Sequence, residues 1–339
     1  MKSAIAYSIA ATLLALSCTR TLPEEAERVP VRLSLHSTAT RSGPDNFGAD
    51  GNADRATVYV MDPSASDSSI PGDVVDIATF STVDNGELEL ITSMGQKFFF
   101  IVLNGPAAGN PADYNAVKAL QAGMPSGRGS GPLMTGLSAR TGVNTAMQSI
   151  PITVNRQVFR VNITNITNNL PQNCNLTILY AYLSNYVSGY TLGNGNTPSV
   201  SYGNSRGRNG NGIINGTSVC ADNDYTAISR AMSIGSGDVC TDYSGIGLYA
   251  FPNPCTTDSW GAGSSAARKT RVVLVASING SLCYYPIPLD PQNSNCSYDM
   301  DISIYNTGTT DPETELAKGT VSISMTVCDW NVSSRTSNL

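Results

Sequence analysis

Val29, Val31, Leu33 and Leu35 alternate with Pro30, Arg32, Ser34 and His36. This period of two places one apolar edge and one polar edge along a single extended segment, and no helix can satisfy it. Similar short runs follow along the chain, at Ala56 to Met61, Leu88 to Ile91, Lys97 to Asn104, Ser149 to Asn155, Gln157 to Ile166 and Asn175 to Asn185. Further runs lie at Gly247 to Phe251, Arg271 to Ile278, Leu282 to Leu289, Ser297 to Tyr305 and Gly319 to Val327, each bounded by Gly, Pro, Asn or Asp. Only Pro111 to Ala122 has helical character, with Pro111 tolerated in a first turn. Many short strands without alternating helices predict an all-β chain of antiparallel sandwiches rather than a parallel βαβ sheet. At 339 residues the chain has length for two such units. The boundary is placed near Val154 to Gln157, where the half without cysteines past the N terminus ends.

The first residues describe an export signal. Lys2 opens a short positive region, Ala4 to Leu16 is apolar but too short to span a bilayer, and Leu14-Ala15-Leu16-Ser17-Cys18 follows. This reads as a lipobox, with cleavage after Ser17 and a lipid on the Cys18 thiol. A lipid on an exported chain tethers it to a membrane surface. Of the 8 cysteines, those after Cys18 all lie in the second half, without Cys-x-x-Cys spacing, and His36 is the lone histidine. A zinc site is therefore not expected, and disulfides are the expected use in an oxidising envelope. Asp50-Gly51-Asn52-Ala53-Asp54 opens like a calcium loop, but Arg55 and Met61 stand where the turn glycine and closing glutamate belong. No metal and no cofactor are expected.

Other function classes are poorly served. A formal charge of −6 with no basic face speaks against nucleic acid. No Gly-x-Ser-x-Gly elbow occurs and no carboxylate pair stands out, so an enzyme is not expected. Tyr180, Tyr182, Tyr186, Tyr190 and Tyr202 crowd the approach to a loop running from about Gly189 to Gly216. Exposed tyrosines could stack on sugar or anchor a host protein, whereas strand alternation would bury Tyr180 and Tyr182 together.

The order of segments resembles the fimbrillin family, the type V pilins of Bacteroidales. The resemblance runs from the lipobox through Val58-Tyr59-Val60-Met61-Asp62, Gly95-Gln96-Lys97 to Val102-Leu103-Asn104, Pro132-Leu133-Met134-Thr135-Gly136 and Val154 to Val161. It continues in Phe251-Pro252-Asn253-Pro254, Cys283-Tyr284-Tyr285-Pro286-Ile287-Pro288-Leu289, Tyr298 to Ile304, Gly308, Asp311-Pro312 and Val327-Cys328-Asp329-Trp330. It implies two transthyretin-like β-sandwiches in tandem, residues 42–154 and 155–339, behind a signal peptide at 1–17 and a lipidated propeptide at 18–41. An arginine-specific or trypsin-like surface protease would cut between Arg41 and Ser42, within the polar stretch Ser37 to Asn46. Arg28, Arg32 and Arg55 are the competing positions. Cleavage after Arg41 would shift the formal charge from −6 to about −8. The segment 319–339 would then act as donor strand to another copy or a related pilin, through Val321, Ile323, Met325 and Val327. Those four alternate with Ser322, Ser324 and Thr326, which fits a strand donor on physical grounds alone. The implied product is a surface fimbria, with this chain as a shaft subunit rather than a tip or anchor adhesin.

Overall fold

The computed structural model describes residues 27–37, 53, 55–83, 86–123, 131–187, 189–193, 202–203, 227–228, 230–244, 247–260 and 268–329. Strands β1 (Arg28–Ser37), β2 (Ala56–Pro63), β3 (Pro71–Phe80), β4 (Glu87–Ser93) and β5 (Gly95–Leu103) come first. A five-residue helix α1 (Tyr114–Lys118) follows, shorter than the sequence suggests, and Asp113 caps it by accepting from the Ala116 N–H at 2.8 Å. Then come β6 (Gln121–Gly123), β7 (Met134–Leu137), β8 (Thr141–Val143) and β9 (Gln148–Arg156). One sheet runs β3-β2-β5-β7-β9-β1-β4, with β8 beside β5. The sheet curls until its two ends meet: Asp76 of β3 accepts from Arg28 of β1 at 2.6 Å and from Thr92 of β4 at 2.5 Å. Enclosed between its halves are Val29, Val31, Leu33 and Leu35 against Val58, Val60, Phe99, Ile101 and Leu103.

The second half supplies β10 (Phe159–Asn168), β11 (Leu176–Ser184), β12 (Tyr186–Val187), β13 (Gly189–Thr191), β14 (Tyr202–Gly203), β15 (Ala227–Ile228), β16 (Met232–Ile234), β17 (Val239–Cys240) and β18 (Gly247–Ala250). The last four strands are β19 (Arg271–Ile278), β20 (Ser281–Pro288), β21 (Cys296–Ile304) and β22 (Val321–Asp329). A sheet β17-β10-β21-β22, with β18 on β10, faces a sheet β15-β11-β19-β20, with β16 on β11. Their inner faces interdigitate as one core, with Phe159, Val161 and Ile163 opposing the layer that holds Val272, Leu274 and Ala276. On β10 the buried positions change from odd to even between Ile163 and Ile166. A register shift between Ile163 and Asn165 is the cause, since one extra residue reverses the facing of everything after it.

The all-β expectation holds, but the sheets are mixed rather than purely antiparallel. β1 runs parallel to β9 and β10 runs parallel to β21. Strand alternation is the same in both pairings, so side-chain pattern alone does not distinguish them. β3 is absent from the sequence reading because its Asp73, Asp76 and Gly72 interrupt any apolar run; it is an edge strand with only partial burial. β13, within the segment expected to be loop, pairs with β6.

Between β19 and β20, Asn279 (φ 49°) and Gly280 (φ 87°) form a two-residue hairpin connecting Ile278 to Ser281. Two successive left-handed residues match the twist of the flanking strands. A Cβ on Gly280 would meet nothing within 4 Å, so Gly280→Ala tests backbone conformation alone. The expected cost is about 1–2 kcal/mol in a urea titration. Among the described residues, Cys174, Cys240, Cys255 and Cys283 form no disulfide, which differs from the expectation for these four. Cys240 and Cys283 are instead buried as small apolar side chains in the second core.

Candidate assembly site

β1 is an interior strand. It pairs with β4 from Arg28↔Ser93 to Ser34↔Glu87 and with β9 from Val31↔Gln148 to Ser37↔Val154. Val29, Val31, Leu33 and Leu35 are 4%, 1%, 0% and 1% exposed, so all four alternate side chains fill the core. Each is worth on the order of 1.5–3 kcal/mol in burial. Without β1, the facing edges of β4 and β9 would lose their ladder partners above an apolar trough. The opposite face of β1 is held by charge. Arg28 donates to Asp76 and, at 3.1 Å, to the Ile91 carbonyl. Arg32 donates to Glu89 through Nε at 3.0 Å and Nη2 at 2.6 Å, and its Nη1 lies 3.7 Å from Glu87. The Glu89 hydrogen bond, then the Glu87 charge, hold Arg32 protonated more firmly than usual.

β22 is an edge strand with one ladder partner, pairing with β21 from Ile304↔Val321 to Cys296↔Asp329. Val321 and Met325 pack against the second core, whereas Ile323 and Val327 remain 39% and 56% exposed. Beside Val321 and Ile323 runs a groove of about 290 Å³, lined in part also by Trp260, Pro286, Pro288 and Leu316. One lining residue, Trp260, packs on a buried ion cluster. Glu313 accepts from Arg268 at 2.9 Å and Arg271 at 3.2 Å, and Arg271 also donates to Asp258 at 2.9 and 2.7 Å. The Arg271 guanidinium lies 3.7 Å from the Trp260 ring centroid, a cation–π contact that fixes the groove wall.

The sequence-derived site residues therefore separate into two groups. Val321, Ile323, Met325 and Val327 alternate along one strand, β22, with Val321 and Met325 against the second core and Ile323 and Val327 exposed. Cys18, Arg41 and Ser42 lie outside the described residues. Sequence reading treated Arg28 and Arg32 only as competing cleavage points, and it missed Asp76, Glu87, Glu89 and Glu313. Their partners lie far away in the chain, so local spacing holds no signal for them beyond the polar positions of alternating strands. The burial that strand alternation predicts for Tyr180 and Tyr182 is observed. They are 7% and 1% exposed and pack with Val273, Val275 and Tyr284, while Tyr190 stacks on Phe251 at 4.8 Å between ring centroids. None of these three rings is free to stack on a sugar.

Two curled or paired β-layers joined by a shared apolar cluster, which links Tyr59 and Phe100 to Tyr249 and Phe251, can be compared with solved structures. A fimbrilin from Porphyromonas gingivalis superposes with a TM-score of 0.53 over 89% of this chain and 97% of its own, at 14% identity. This chain has the fimbrillin fold. A proposed cell adhesion protein from Parabacteroides distasonis gives a TM-score of 0.57 at 13% identity, covering 90% of this chain and 100% of that one. Another from Bacteroides eggerthii gives 0.57 at 12% identity, covering 90% and 97%. No protein-family model and no curated protein matches the sequence. At such identities the shared fimbrillin fold rests on three-dimensional arrangement.

Proposed function

We propose that this chain is a structural subunit of a surface pilus, with no catalytic role, exported as a lipoprotein through Cys18, trimmed after Arg41 and polymerised by strand exchange. The observation that carries the reading is the pairing of unequal strands. β1 places four alternate apolar side chains wholly inside a slot between β4 and β9, and β22 carries four with the same spacing, two of them left substantially exposed. Loss of β1 would open the slot to such a strand from a neighbour. Arg32 lies in the doubly paired part of β1 and Arg28 in its end paired to β4 alone, so a protease needing an extended loop has poor access to either. That favours Arg41 as the point of trimming.

The proposed organisation is a signal peptide at 1–17, a propeptide at 18–41, and sandwich domains at 42–154 and 155–339. In its support, the first sheet ends with β9 at Arg156 and the second half opens with β10 at Phe159. Possession of both a removable strand and a donor strand favours a shaft subunit, located on the bacterial surface after release from the outer-membrane anchor. The proposed partners are further copies or related pilins and an arginine-specific protease.

Limited trypsin on the purified chain is expected to create a terminus at Ser42 and a ladder that resists SDS without boiling. The double substitution Ile323→Asp/Val327→Asp is expected to abolish the ladder. Because both positions are exposed, it should shift subunit stability by no more than about 0.5 kcal/mol per site. A ladder that survives this double substitution would remove β22 as donor.

A further inference from the structure

The slot that β1 occupies carries charge along its rim as well as an apolar floor. Its rim holds three carboxylates, Asp76, Glu87 and Glu89, and their cationic partners in this slot come from β1 itself, as Arg28 and Arg32. Asp76 is the least exposed, with 17% of its side chain open to solvent. Departure of β1 would leave these acids facing the vacancy, with Glu87 and Glu89 on the same side of β4.

β22 does not replace the lost cations. Aligning Val321, Ile323, Met325 and Val327 with Val29, Val31, Leu33 and Leu35 in the same direction puts Ser324 at the position of Arg32. Aligning them in the opposite direction does so again, because residues 32 and 324 are the centres of the two patterns. The Arg28 position receives Thr320 in one direction and Cys328 in the other. Neither alignment brings a cation to Glu89.

We propose that the β1 slot discriminates among donor strands by charge, and that its preferred occupant is an alternating apolar strand from a different polypeptide carrying Arg or Lys opposite Glu89. A second copy's β22 is then the weaker occupant. The inference rests on the strand-exchange reading and adds a basis for partner choice: homopolymer joints carry an uncompensated acidic rim, and joints to a cationic donor do not.

The test uses the trypsin-trimmed chain, separated from its released β1 fragment, and fluorescent synthetic peptides in an anisotropy titration. The peptides span residues 27–37 and 319–329, each with a variant, R28S/R32S in the first and S324R in the second. At low salt the 27–37 peptide is expected to bind about three- to tenfold more tightly than R28S/R32S, from the ion pairs of Arg28 and Arg32 with the three rim carboxylates. S324R is expected to tighten the 319–329 peptide about threefold. Both differences should shrink in 1 M salt, where screening acts within about 3 Å. In trimmed protein carrying E87Q/E89Q the S324R gain should vanish, and the 27–37 difference should fall to the share held by Arg28 and Asp76. Equal binding of each pair at low salt, or a difference indifferent to both salt and E87Q/E89Q, overturns the charge selection while leaving strand exchange standing. Failure of every peptide to bind, the 27–37 peptide included, overturns strand exchange itself and this inference with it.

Discussion

Leu33→Asp is expected to expel β1 from the untrimmed chain. Leu33 is fully buried at the middle of the strand and is paired on both sides, with Leu88 and with Ile150. A carboxylate there would sit among Val58, Val60, Phe99 and Ile101, where no cation can reach it without breaking the core. Losing the leucine alone, as in Leu33→Ala, costs about 2–5 kcal/mol. The charge adds its desolvation, so a total above about 4 kcal/mol is expected. Denaturant titration gives the magnitude, and amide exchange gives the place: protection should fall along β4 and β9 and persist along β19. Ser34→Asn, one residue away on the polar face and uncharged opposite Glu87, serves as the control, and its effect should stay within about 0.5 kcal/mol. An L33D chain as stable as its parent would mean that β1 does not occupy the slot.

Glu313→Ala is the second large effect. One carboxylate oxygen of Glu313 accepts from both Arg268 and Arg271, and the three residues are 3%, 6% and 0% exposed. Arg271 would keep Asp258, but the cluster would hold two buried cations against one remaining carboxylate. Breaking a buried ion pair from one side costs about 3–5 kcal/mol. The contrast is Lys269–Asp290, where Asp290 is 81% exposed; Lys269→Ala should cost below about 1 kcal/mol. Because Glu313 stands just ahead of β22 and Arg271 packs on Trp260, the E313A chain should also show a changed tryptophan emission as the groove wall loosens.

Strand patterning made much of the architecture legible. Arg271 to Ile278 is observed with the bounds expected for it, and most other strands shift by one or two residues. This precision has a cause: β19 is central, apolar on both faces, and closed by a turn whose chemistry is specific. The opposite holds for β3, where partial burial imposes no regular pattern. Pairing partners were not legible, because Val31 and Gln148 are brought side by side only by the closed sheet. The same limit hid the acidic rim, since Glu87 and Glu89 acquire meaning only beside Arg32. The tyrosines show the reverse: Tyr180 and Tyr182 look like a surface when counted and like a core when alternation is applied.

The parallel pairing of β1 with β9 bears on the timing of assembly. Both neighbours of β1 are distant in the chain, so the slot must be built before β1 can enter it, and non-local closure of this kind is slow. While the chain between Ser37 and Ala56 stays intact, β1 remains tethered beside its own slot, at an effective concentration on the order of millimolar. A donor strand from solution must compete against that figure. On the strand-exchange proposal, cutting that tether would remove this advantage, so a cleaved subunit would be readier to trade β1 for a donor strand.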